Sequence, residues 1–221
     1  ALGDIARSRL MSYNHTTGTV DAWAPTVNGT VEAIALSTDG QWLFAAGSFT
    51  QVNGVASKGL AKISTTTGLR DPNFTTTVAG GTVADLELRG DTLYLTGTFT
   101  TVRTTARAGL AAVSATNGSV LPMNLPITTA FSGTTTAPRK IDVDAAGTKM
   151  VVIGNFRSVG GATRPQIAVV NLSAGGNGAS AGRYPPRSRM SPTSWRNCSG
   201  RNPASCTQPP KQRTSFWISS V

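Results

Sequence analysis

The sequence is poor in the side chains that most often carry chemistry. Of 221 residues only one is histidine and two are cysteine, and charged residues make up 14%. The lone histidine, His15, would have to serve any Ser-His-Asp relay or histidine-based metal site. It precedes Thr16-Thr17-Gly18, a strand-end turn signature, and is expected at the surface. Both cysteines, Cys198 and Cys206, lie near the C-terminus, with a spacing that matches no zinc motif. They read either as a small disulfide loop in an oxidising compartment or as two unpaired thiols. No apolar run is long enough for a transmembrane helix. No stretch sustains an i, i+3, i+4 apolar pattern, so helices are not expected. No GxxxxGKS or GxGxxG opens a helix after a strand, which leaves nucleotide binding without support.

What is abundant is turn chemistry. The 24 glycines, with many Thr, Ser and Asn, suit short strands joined by tight turns that need positive φ. The formal charge of +10 is unevenly placed. From Ser173 onward there are seven basic residues and no Asp or Glu. The basic character therefore belongs mainly to the tail.

Internal repetition organises the rest. Gly18, Gly68 and Gly118 stand 50 residues apart, as do Leu10, Leu60 and Leu110. GSFTQV at Gly47 returns as GTFTTV at Gly97 and, after an insertion near residues 128–137, as GNFRSV at Gly154. Each copy opens with an apolar strand: VEAIAL at Val31, VADLEL at Val83, RKIDVD at Arg139. A turn follows, then a second strand ending in Gly-x-Phe and a polar loop. The third strand is GLAKIS, GLAAVS or QIAVVN, and a short edge segment (LRDPNF, SVLPMN) closes the first two copies. Residues 6–25 match only the second half of a unit.

Four short antiparallel strands at this period predict an all-β, β-propeller-like chain of about three and a half blades. The blades are expected at 31–74, 83–124 and 139–172, with the half-blade at 6–25. That count is short of a ring, so remaining blades or other chains are expected partners. Within the strands, Ile34, Leu86 and Ile141 are expected to face the core.

These motifs resemble the propeller repeats of large secreted actinobacterial proteins, with a pattern near V-x-A-L-A-L-S-x-D-G-x-x-L-Y-x-G-G-S-F-T-x-V-N-G. Residues 31–68 follow it nearly in full, residues 83–118 well except for Arg103-Thr104 in place of Asn-Gly, and residues 139–172 loosely. The delta-60 repeats and the fungal cortical polarity-marker repeats are similar. The resemblance implies a propeller and a secreted or cell-surface location. It says little about function, because the recurrent residues are turn glycines and core apolars.

The tail, 174–221, abandons the pattern. It reads as a disordered linker, as a frame-shifted gene end, or as an arm for an anionic surface. Nucleic acid is not an expected partner, since its aromatics are sparse.

The candidate sites are few. Trp42 either stacks on a sugar or fills a gap between blades. Gln51, Asn53 and Arg103 lie on loops suited to ligand contact. Asp85, Glu87 and Asp142 fall on first strands, which line the central channel of a propeller. They are candidate ligands for Ca²⁺, or else solvated charges paired with Arg139 or Lys140. The expected function is a non-catalytic extracellular module that binds a glycan or a protein, or acts as a scaffold. The rival is a secreted carbohydrate-active enzyme using those carboxylates.

Overall fold

The computed structural model describes residues 8–172 and the backbone of Ser180–Ala181. Everything described belongs to the unit formed by residues 1–183. The basic tail beyond residue 181, with Cys198 and Cys206, lies outside the described residues.

The described chain is all-β, in several small antiparallel sheets, with no helix among the described residues. A half-unit comes first: β1 (Tyr13–Asn14) pairs with β2 (Thr19–Val20). Unit 1 holds β3 (Val31–Leu36), β4 (Trp42–Gly47), the hairpin β5 (Gln51–Val52) and β6 (Val55–Ala56), and β7 (Leu60–Ser64). Unit 2 is preceded by β8 (Val78–Ala79). It holds β9 (Val83–Arg89), β10 (Thr92–Gly97), β11 (Thr101–Val102), β12 (Thr105–Ala106) and β13 (Leu110–Ser114). Unit 3 is preceded by β14 (Ile127–Thr128). It holds β15 (Ala137–Val143), β16 (Lys149–Asn155), β17 (Ser158–Val159), β18 (Ala162–Thr163), β19 (Ile167–Asn171) and the edge pair β20 (Ser180–Ala181).

Each unit is built around the sheet β3-β4-β7, β9-β10-β13 or β15-β16-β19, the last extended by β20. The expected fourth strands of units 1 and 2 are reduced to single bridges, Ile63–Arg70 and Val113–Val120. Pro72 and Pro122 follow closely and lack the N–H that a longer ladder needs. The expected polar loop after each Gly-x-Phe is instead a hairpin, which joins the segment entering its unit. β11 pairs with β8 and β17 with β14, while Val27 bridges to Val52. Among the described residues these sheets close no barrel or ring.

The Gly-x-Phe signature has a structural cause. Opposite each of these glycines the first strand carries a β-bulge, at Val31/Ala33, Val83/Asp85 and Pro138/Lys140. The bulge pushes backbone against the glycine. A Cβ on Gly47 or Gly97 would land on the carbonyl oxygen of Thr30 or Thr82. The phenylalanine two residues on, Phe49, Phe99 or Phe156, is fully buried.

Units stack through apolar faces. Phe44, Ala46 and Leu60 of unit 1 pack with Leu86, Leu93 and Leu95 of unit 2. Tyr94, Leu110 and Ala112 of unit 2 pack with Ile141, Met150 and Val152 of unit 3. β3 lies beside β9, and β9 beside β15. Leu86 and Ile141 face the core as expected, but Ile34 does not, being 57% exposed. The reason is positional: among the described residues no second strand of a preceding unit covers β3.

Candidate functional site

The site is a cleft of about 320 Å³ where the β3–β4 turn of unit 1 faces the β9–β10 turn of unit 2. Local sequence builds its first wall. In Ser37-Thr38-Asp39-Gly40, the Ser37 hydroxyl donates to Asp39 Oδ1 at 2.5 Å and accepts the Trp42 N–H at 2.9 Å. Asp39 Oδ1 also accepts the Gln41 N–H at 3.0 Å, and Gly40 takes a φ of +70° to close the turn. These bonds place Trp42 as the first residue of β4, half-buried at the cleft. The Ser37 hydroxyl, with the Gln41 amide, holds the exposed Asp39 carboxyl below its ordinary range.

Lys62 also lines the cleft. Lys62 and Asp71 are both buried, and Lys62 Nζ lies 3.1 Å from Asp71 Oδ2. The same ammonium sits 4.5 Å from the Trp42 ring centroid and donates to the Thr116 carbonyl of unit 2 at 3.3 Å. The second wall carries Asp91, whose oxygens accept from the Ser114 hydroxyl at 2.8 Å and the Thr116 hydroxyl at 2.6 Å. An indole thus shares one cleft with two exposed carboxylates and several hydroxyls. Such a lining suits a polyhydroxylated ligand that stacks a C–H face and donates hydroxyl protons.

The lysine–aspartate pair is absent from the sequence expectations, although a signal for it was present. At the positions of Lys62 and Asp71 in unit 1, unit 2 has Ala112 and Leu121. Where a repeat carries buried charges in place of an apolar pair, packing alone does not require the change.

The other expected site residues lie elsewhere. Gln51 is exposed on β5, opposite Ala56. Asn53, at φ +49° in the hairpin turn, spends its side chain on the fold. Its Oδ1 accepts the Thr26 N–H and its Nδ2 donates to the Gly68 carbonyl, both at 2.8 Å. It borders a second cleft, of about 370 Å³, with Trp23, Pro25 and Leu69. Arg103 occupies the equivalent turn position at φ +52°, exposed, and its N–H reaches the Thr77 carbonyl at 2.7 Å. His15 is exposed in the β1–β2 turn.

Asp85, Glu87 and Asp142 lie on the adjacent strands β9 and β15 but do not form one coordination shell. Asp85 accepts the Ile141 N–H at 3.0 Å and faces Lys140 Nζ at 3.4 Å. Glu87 pairs with Arg89 at 2.5 Å, and Asp142 is exposed. Among the described residues no three acidic, histidine or cysteine side chains are grouped to hold a metal ion. Desolvation raises the Glu87 pKa; Arg89 opposes that rise, and Asp142 and Asp85 add to it. Among the described residues no helix is long and apolar enough to cross a membrane.

No family model matches the chain, and no curated protein matches it.

Proposed function

We propose that the chain is part of a propeller-type extracellular module that binds a glycan in the cleft between units 1 and 2. The propeller reading is supported by the repeat, by face-to-face stacking of three units, and by the side-by-side run of β3, β9 and β15. The extracellular reading rests on the resemblance to secreted propeller repeats. One observation carries the binding reading: a half-buried Trp42 faces a cleft flanked by the Asp39 and Asp91 carboxylates. A pyranose would lay its apolar face on the indole and donate hydroxyl protons to the carboxylates. Binding rather than turnover is the function assigned, with specificity set by the unit 1–unit 2 seam.

The test is a glycan array followed by titration of the full chain, Trp42→Ala and Asp91→Asn. Saturable binding of a sugar by the parent is expected. Trp42→Ala should weaken it at least about tenfold, the equivalent of roughly 1.4 kcal/mol, and Asp91→Asn should weaken it less. Parent binding that survives Trp42→Ala removes this cleft as the site. No sugar bound by the parent turns the assignment toward a scaffold or a protein partner.

A further inference from the structure

A guanidinium caps the same backbone carbonyl in units 1 and 2, but it comes from different places in the chain. In unit 2, Arg107 Nη2 donates to the Leu121 carbonyl at 3.2 Å and Nη1 to the Ala106 carbonyl at 2.8 Å. Its Nε is buried. In unit 1 that position is Ser57, whose N–H bonds the Thr50 carbonyl as the Arg107 N–H bonds that of Thr100. The carbonyl equivalent to that of Leu121 belongs to Asp71, and Arg70 Nη1 takes it at 3.0 Å and the Phe74 carbonyl at 3.1 Å. Arg70 stands where unit 2 has Val120, each bridging to the third strand of its unit. The arginine and a smaller partner have exchanged places.

The exchange leaves space and unspent donors in unit 1. Ser57, Arg70, Phe74, Thr75 and Thr77 line a cavity of about 210 Å³, several times the roughly 30 Å³ that one water occupies in the liquid. Ser57 is only 4% exposed, and its hydroxyl has no partner among the described residues. Arg70 Nε and Nη2 also lack an acceptor among the described residues. Thr75 and Thr77 add exposed residues with hydroxyls. Among the described residues, the lining carries one positive charge and no carboxylate.

We propose that this cavity binds the sulfate group of a sulfate ester. The free Nε–Nη2 edge of Arg70 matches two oxygens of an oxyanion. The hydroxyls of Ser57, Thr75 and Thr77 supply donors for the remaining oxygens. A carboxylate would bring two oxygens only. A phosphate ester holds a proton below its second pKa near 6, and the lining has no carboxylate to accept it. A free ion would leave much of the cavity empty, whereas an ester lays its carbon skeleton beside Phe74. The cavity shares no lining residue with the Trp42 cleft, so it stands or falls separately from the glycan reading.

The probe is a monosaccharide sulfate ester, titrated at constant ionic strength into the full 221-residue chain. Binding is followed by NMR of backbone amides and arginine side chains. Saturable shifts are expected at residues 56–58, 70 and 74–77. The unsulfated sugar should leave those signals in place, and inorganic sulfate should bind more weakly than the ester. Arg70→Gln should weaken binding at least about tenfold. So should Ser57→Arg combined with Arg70→Val, which rebuilds the pair found in unit 2 and should keep the parent's melting temperature. Arg139→Gln, at an exposed arginine outside the cavity, should bind like the parent. The proposal is overturned if the parent shows no saturable shift at these residues, or if the unsulfated sugar shifts them equally. Inorganic sulfate binding as tightly as the ester overturns it too. So does undiminished binding in both Arg70→Gln and the double variant, or a matching loss in Arg139→Gln.

Discussion

Replacing Asp71 by leucine should unfold this protein more readily than any surface change, and the repeat itself supplies the rescue. Lys62 and Asp71 keep only 10% and 8% of their side-chain surface in water. Removing one partner of such a pair costs about 3–5 kcal/mol, because the other charge remains buried. Here Lys62 would keep the Trp42 ring and the Thr116 carbonyl. A partly desolvated cation–π contact returns about 1–2 kcal/mol. The expected loss for Asp71→Leu is therefore about 1–4 kcal/mol. Unit 2 carries Ala112 and Leu121 at these positions and packs them without charge. Lys62→Ala with Asp71→Leu should thus recover most of the loss, short of about 1–2 kcal/mol for the space left by the lysine stem. Urea unfolding of the parent, both single variants and the double variant closes the cycle. The coupling energy should exceed about 2 kcal/mol. A loss below about 1 kcal/mol for Asp71→Leu, or additivity within about 0.5 kcal/mol, would refute the reasoning.

Three further outcomes follow from the repeat geometry and the charges. Gly97→Ala places a Cβ on the Thr82 carbonyl beside the bulge, and should cost at least about 1–3 kcal/mol in denaturant unfolding. Gln166 sits at φ +65° where units 1 and 2 have Gly59 and Gly109, so Gln166→Gly should stabilise by roughly 0.5–1 kcal/mol, read as a raised Tm. The folded chain raises the Glu87 pKa, so this group favours folding below the ordinary glutamate range, and that contribution is lost as pH rises through the raised value. Glu87→Gln should therefore flatten the fall in stability across that window, and parallel unfolding curves at pH 4 to 7 would check it; a parent and variant with identical pH slopes would count against the shift.

Much of this architecture is readable along the chain. The spacing of Gly47 and Gly97, the Gly-x-Phe signature and the period-2 strands announce repeated antiparallel units, because bulges, tight turns and pleated faces each restrict which residues fit. Trp42 is legible as a site candidate because it is a large aromatic beside a turn. Tertiary structure decides the rest. The loop residues Asn53 and Arg103 turn out to be hairpin pivots, since their role depends on an entering segment more than 20 residues away in sequence. Asp85, Glu87 and Asp142 lie on neighbouring strands, yet their direct partners differ: Ile141 and Lys140 for Asp85, Arg89 for Glu87, and solvent for Asp142. Ile34 keeps the pattern of a core residue and is nevertheless exposed. Alternation along a strand selects the face on which a side chain lies, but burial requires a neighbouring sheet to cover that face. The strand pattern is therefore local information, while the cleft and the burial of the strand faces are decided only where one unit meets the next.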